Sequence, residues 1–131
     1  MPGRTRLLIA DGLPEVRQAL ASKLMANPAI EIAGEAGDGM EAVTMVAGRE
    51  PNVALIDLYL PIIGGIATIQ WIKERHPNIV IIALASRDND PQIIDALQAG
   101  ASSYILKEAS AELLLHIVRT VSVIFCFPGP A

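Results

Sequence analysis

Pro51-Asn-Val-Ala-Leu-Ile-Asp-Leu-Tyr-Leu-Pro61 is the stretch on which the fold turns. From Val53 to Ile56 every residue is apolar, and the run stops on an acid, Asp57, ahead of a turn closed by Pro61. A strand apolar on both sides, without alternation, suits a parallel sheet covered by helices on each face. Comparable runs lie outward from it: Arg6-Leu-Leu-Ile-Ala10, Ile30-Glu-Ile-Ala-Gly34, Ile79-Val-Ile-Ile-Ala-Leu84 and Ser103-Tyr-Ile-Leu106. They recur at roughly two dozen residues, about the length of one βα unit.

Helical patterns fill the intervals. Pro14 suits a first helical turn, and Val16, Leu20 and Leu24 follow on one face. Val43, Val46 and Ala47 mark a second helix. Gly64-Gly65 precede a third, with Ile66, Ile69 and Ile72 inward, which stops before Pro77. Pro91 opens a fourth, carrying Ile94 and Leu97 and ending at Gly100. Ser110 starts a fifth through Leu113, Leu114, Ile117, Val118 and Val121. Gly34-Glu-Ala-Gly-Asp-Gly39 reads as a turn before the second helix, since it does not match a dinucleotide fingerprint. This order predicts an α/β fold: a (βα)5 doubly wound parallel sheet of five strands with right-handed crossovers. The 131 residues read as a single domain, with a core over 4–121 and an apolar C-terminal extension over 122–131.

The chain is 52% hydrophobic and 18% charged, too apolar for disorder. Its net charge of −4 argues against general nucleic-acid binding, which needs a clustered basic face. The lone Cys126 supplies neither an intramolecular disulfide nor a Cys-rich metal site, which favours a reducing cytoplasm. Arg4 and Arg6 are followed by only four apolar residues before Asp11, unlike a signal peptide. The stretch from Leu113 to Phe127 carries His116 and Arg119 and is too short to span a bilayer. A cytoplasmic domain without membrane attachment is expected.

In doubly wound sheets, ligands bind beyond the carboxyl ends of the strands. Those positions hold Asp11-Gly12, Asp57, Ala85-Ser86 and Lys107. If the strand order is 2-1-3-4-5, the first and third strands are neighbours and Asp11 approaches Asp57. Adjacent carboxylates repel unless they share a cation, and oxygen-only ligands suit Mg²⁺. Lys107 is placed to neutralise an anion there. A carboxylate nucleophile, a lysine and Mg²⁺ together suit phosphoryl transfer.

Three segments carry a family resemblance: Leu8-Ile-Ala-Asp-Gly-Leu-Pro14, Pro51 to Pro61, and Gly100-Ala-Ser-Ser-Tyr-Ile-Leu-Lys107. In order and at these separations, they make the chain resemble a response regulator receiver domain of two-component systems. The nearest subfamily is the one joined to LuxR-type DNA-binding domains (NarL/FixJ). The resemblance implies the flavodoxin-like 2-1-3-4-5 order and a phosphorelay role. Asp57 would accept a phosphoryl group from a sensor histidine kinase. Asp11, Asp57 and the backbone carbonyl of Tyr59 would hold Mg²⁺, and Lys107 would contact the phosphoryl oxygens. Tyr104 would be the switch aromatic. Such a domain is not a classical enzyme and at most phosphorylates and dephosphorylates itself.

The sequence departs from the family at two positions. A second acid normally follows the first strand, but Gly12 stands there, which should weaken Mg²⁺ binding. Glu15, one turn on, is more simply a first-turn helix acid. A Thr or Ser normally ends the fourth strand; Ala85 has no hydroxyl, and alternation aims Ser86 at the opposite face. Gly64 also stands where relatives often carry Asp, in a variable loop. Tyr59 and Arg87 flank the pocket as bulky groups that would shield an acyl phosphate from water. These departures keep a second reading open, a pseudo-receiver that works as a protein-interaction module without phosphorylation. Relatives continue into a DNA-binding output domain. This sequence ends at Phe127-Pro-Gly-Pro-Ala131, so it either acts through protein contacts or is part of a longer regulator. The resemblance also implies a homodimer through the face of the fourth helix, fifth strand and fifth helix.

Overall fold

The computed structural model describes residues 4–126, with backbone alone at 125 and 126. Strands and α-helices alternate along them: β1 (Thr5–Ala10), α1 (Pro14–Met25), β2 (Ile30–Ala36), α2 (Gly39–Arg49), β3 (Val53–Asp57), α3 (Gly65–Arg75), β4 (Val80–Ala85), α4 (Gln92–Ala99), β5 (Ser103–Leu106) and α5 (Ala111–Val121). The strands form one parallel sheet in the order β2-β1-β3-β4-β5, the expected flavodoxin-like arrangement.

Alternation along each strand divides the core into two layers. Leu8, Ala10, Ala54, Ile56, Ile81, Ala83 and Ala85 face α2, α3 and α4, where Val46, Ile69, Ile72, Ile93 and Ala96 meet them. Leu7, Ile9, Val53, Leu55, Ile82, Leu84 and Ile105 face α1 and α5, against Leu20, Leu24, Leu114, Val118 and Val121. Every residue of β3 and β4 is buried, which explains their unbroken apolar runs.

Local chemistry sets the helix ends. Pro14 occupies the first turn of α1. The side chain of Asp38 caps α2 by accepting from Glu41 N, and Ser110 caps α5 by accepting from Leu113 N. Gly100 closes α4 at φ 126°, a conformation that disfavours a side chain. α5 passes into a π-helical turn (Ser122–Cys126) on which Val123 and Ile124 are exposed. The rest of the expected extension, 127–131, lies outside the described residues. No helix among the described residues is long and apolar enough to cross a membrane.

Three sequence expectations need correction. Ile94 and Leu97 face outward on α4, while Ile93 and Ala96 are buried. On α2 the inward residues are Ala42 and Val46, and Ala47 is exposed. β2 continues through Ala36, so only Gly37 and Asp38 remain of the turn assigned to 34–39.

Candidate functional site

The sheet order reverses between β1 and β3, where the chain leaves these neighbours toward opposite faces. Asp11 follows β1 and Asp57 ends β3, so both carboxylates come to this point. Lys107 reaches it from β5, its backbone N–H held by Ala85 O at 2.9 Å. Its ammonium lies 2.8 Å from Asp11 Oδ2 and 3.1 Å from Asp57 Oδ1. The side chains of Asp11 and Asp57 are 0% and 6% exposed, and that of Lys107 14%, so one partly buried cation serves two buried anions.

The remaining oxygens are not equivalent. Asp11 Oδ1 accepts from Leu13 N at 2.9 Å, which shapes the turn into α1. Its Oδ2 has the Lys107 ion contact but no aligned hydrogen bond. Asp57 Oδ1 accepts from Tyr59 N at 3.1 Å and also meets Lys107. Asp57 Oδ2 accepts no hydrogen bond among the described residues, and is the oxygen left with a free lone pair. Burial alone would pull the Lys107 ammonium toward its neutral form. The contacts to Asp11 and Asp57 outweigh that and hold its pKa above the ordinary lysine value.

The donor set fits a small hard cation in kind. Asp11 Oδ2 is buried without a hydrogen bond, and Mg²⁺ is commonly held by one or two carboxylates with water and phosphate completing its shell. The set is short in number, since no group of three or more His, Cys, Asp or Glu able to hold a metal occurs among the described residues. Gly12 explains the shortfall. A Cβ placed there would come within 2.8 Å of the Pro61 ring, so the loop after β3 occupies the space a side chain would need. Gly65 has a different reason to be glycine: an added Cβ would strike the backbone of Asp57 and Leu58, against which α3 begins.

The other sequence candidates fall on two sides of the site. Ala85 is buried on the α3/α4 face, in the same layer as the partly buried Tyr104. Ser86 is exposed and lines a groove with Leu13, Glu15, Val16 and Lys107 on the α1 side, away from Tyr104. Gly64 adopts φ 77° at the start of α3. Tyr59 is 56% exposed, and its hydroxyl turns to Asp90, donating to Oδ2 at 2.8 Å. Sequence reading missed Asp90, which is 5% exposed; Asp90-Pro91 is visible as a helix-start signal, but its partner 31 residues away is not. It also missed Arg17, whose Nη1 donates to Asp11 O at 2.7 Å. That contact adds a positive charge behind the acid.

The chain matches the family described as "Response regulator receiver domain" over residues 7–119. It is 37% identical over 111 residues to the transcriptional regulatory protein YdfI of Bacillus subtilis, covering 85% of this chain and 52% of that protein. It is 36% identical over 117 residues to LiaR of the same organism, covering 89% of this chain and 56% of the relative. The chain thus spans about half the length of these curated relatives. Among solved structures, the receiver domain of a response regulator NarL from Mycobacterium tuberculosis superposes with a TM-score of 0.85 at 24% identity, covering 91% of this chain and 96% of that one. A LuxR-family DNA-binding response regulator from Staphylococcus aureus gives 0.82 at 26% identity, over 89% of this chain and 98% of that one.

Proposed function

The chain belongs to the response regulator receiver family, and on that premise we propose that Asp57 is the phosphoacceptor of a two-component switch. The observation that carries this reading is Lys107 bridging the buried Asp11 and Asp57 while Asp57 Oδ2 keeps a free lone pair. Oδ2 attacks the phosphorus of a phosphohistidine on a sensor histidine kinase. The O–P bond forms as the N–P bond breaks, and the bonding pair stays on the imidazole, which leaves neutral because its other ring nitrogen already carries a proton. Lys107 then turns from its carboxylate partners toward the phosphoryl oxygens, supplying the positive charge that they need. Asp11, Asp57 and the Tyr59 carbonyl would hold Mg²⁺, which supplies further charge neutralisation to the phosphoryl group. Arg17 fixes the Asp11 backbone from behind. Any chemistry of the domain's own is limited to self-phosphorylation from small donors and self-dephosphorylation.

The output face lies on α4, β5 and α5. Ile94, Leu97 and Leu113 are exposed there, and Tyr104 and Ile117 line a groove between β5 and α5. This face is where we place a homodimer contact. By analogy with the relatives, the domain would act in the cytoplasm within a transcriptional regulator, with DNA bound by a separate output domain.

Intact-mass analysis with Mg²⁺ and a small phosphodonor tests the reading. One phosphoryl adduct, absent in Asp57→Asn, is the expected result. The second reading, a pseudo-receiver, is favoured by Gly12 packed on Pro61 and by the Ala85 methyl. A folded protein that never gains the adduct at millimolar Mg²⁺ would establish it instead.

A further inference from the structure

Ala85 ends β4 with a methyl group buried in the same layer as Tyr104, so no hydroxyl from this position can tie the loop after β4 to the site. A different polar route is present. Tyr59 N donates to Asp57 Oδ1 at 3.1 Å, which fixes the Tyr59 backbone to the phosphoacceptor carboxylate. The Tyr59 hydroxyl crosses to Asp90 Oδ2 at 2.8 Å. Among the described residues no other side-chain hydrogen bond joins the loop after β3 to the loop after β4. Asp90 in turn holds the first turn of α4: its Oδ1 accepts from Gln92 N at 2.9 Å and its carbonyl from Ile93 N at 3.0 Å. α4 has only eight residues and presents the exposed Ile94 and Leu97.

From this geometry, and resting on the phosphoacceptor reading of Asp57, we propose that the Tyr59–Asp90 hydrogen bond transmits the state of Asp57 to α4. It takes the place of the hydroxyl that Ala85 lacks. A phosphoryl group on Asp57 changes what the carboxylate can accept, and the Tyr59 backbone must adjust. The ring carries that displacement to Asp90, and Asp90 carries it to the first N–H groups of α4. The link is charge-assisted, with a neutral phenol donating to an ionised carboxylate, which makes it stronger than a neutral pair. Both partners are biased toward those forms. The Gln92 N–H and then the Tyr59 hydroxyl hold the Asp90 carboxyl below its ordinary value. The bond to Asp90 raises the Tyr59 phenol above its own. A signal needs an element that both ends can bias, and the first turn of α4 is that element.

The test compares the wild type with Tyr59→Phe, which keeps the ring and removes only the donor. Bound beryllofluoride is read by ¹⁹F NMR in the presence of Mg²⁺. The α4 response is read from the amide shifts of Gln92, Ile93 and Ala96. Beryllofluoride is brought to saturation separately in each protein, and the α4 response at saturation is expected to be lost in Tyr59→Phe and regained when Ala85→Ser is added. A full α4 response in Tyr59→Phe overturns the link. If the wild type binds no beryllofluoride, the phosphoacceptor reading fails, and a second comparison still decides the link. Asp57→Asn is then made both in the wild type and in Tyr59→Phe, without any ligand. α4 shifts that appear only when the tyrosine hydroxyl is present support the link; equal shifts in both backgrounds overturn it.

Discussion

Replacing Lys107 by methionine keeps an unbranched stem and removes the charge, and the structure sets the size of the effect. The ammonium contacts Asp11 Oδ2 at 2.8 Å and Asp57 Oδ1 at 3.1 Å, with both carboxylates almost wholly buried. Removing one partner of a buried ion pair costs about 3–5 kcal/mol, because a charge is left without compensation. Two anions left facing one another raise that cost, while the partial exposure of Lys107 lowers it, so the range as a whole applies. Against a total of about 5–15 kcal/mol for a domain, this is a large fraction of the stability. It corresponds to a fall in Tm of about 10–20 °C for a chain of this size. Urea unfolding followed by circular dichroism reads it directly. Magnesium provides the second arm. In the wild type a divalent ion must share carboxylates that the ammonium already partly neutralises, whereas in the variant they are bare. Millimolar Mg²⁺ should therefore stabilise Lys107→Met by more than the wild type, through binding to the folded state. A loss below about 1 kcal/mol would refute the view that Lys107 is the resident cation of the site. So would an equal Mg²⁺ effect in both proteins.

Restoring the second acid with Gly12→Asp should cost about 1–3 kcal/mol without metal, since the new Cβ forces Pro61 outward. Thermal scans should show a larger Mg²⁺-dependent gain than in the wild type. Ile62 has φ 78°, rare for a β-branched residue, and is 72% exposed. Ile62→Gly should therefore raise stability by about 0.5–1 kcal/mol in urea melts, strain relief exceeding the entropy lost to glycine. For pH, the folded-state value of Lys107 is raised, so its contribution is complete below the unfolded lysine value of about 10.4. It is lost as pH rises through the folded value. Stability curves of the wild type and Lys107→Met should converge at that alkaline end, and parallel curves there would count against the contact.

The parts of this molecule legible in its sequence are those fixed by composition over several neighbouring residues. β3 and β4 are buried on both faces, so their runs can be read without knowing what covers them. α4 shows where that method stops. Ile93 and Ile94 are adjacent, and either begins a three-residue step, to Ala96 or to Leu97. Bulk favours the second pair, but the small Ala96 is the residue that goes inward, as a close crossing of α3 and α4 requires. Gly34 resembles a turn residue and makes β2 look shorter than it is; in the structure it pairs with Leu8 across an irregular register. The chemistry-bearing residues at strand ends are legible from their position. Their partners are not, because Pro61 against Gly12 and Asp90 on Tyr59 are contacts between loops far apart in the chain.

The energetics of the acid–lysine cluster bear on which of the two readings is correct. A buried ion pair is weak evidence for stability, since well-packed apolar residues of similar volume are often as stable or more so. Two buried acids against one lysine have a worse balance than a pair, for they leave a net negative charge among β1, β3 and β5. A fold needed only as a contact surface has no structural use for that arrangement: its layers close on Leu, Ile, Val and Ala throughout. Departures from local packing rules of this kind belong at working sites. The losses at Gly12 and Ala85 affect the surroundings of Asp57 rather than the carboxylate itself. On the proposed reading, one would thin the metal shell and the other would remove a route to α4. Neither touches Asp57 Oδ2 or Lys107, the two groups on which the proposed phosphoryl transfer would depend. These energetics favour the phosphoacceptor reading over the pseudo-receiver; on that reading the substitutions bear on metal binding and readout, the side on which the proposed Tyr59–Asp90 link lies.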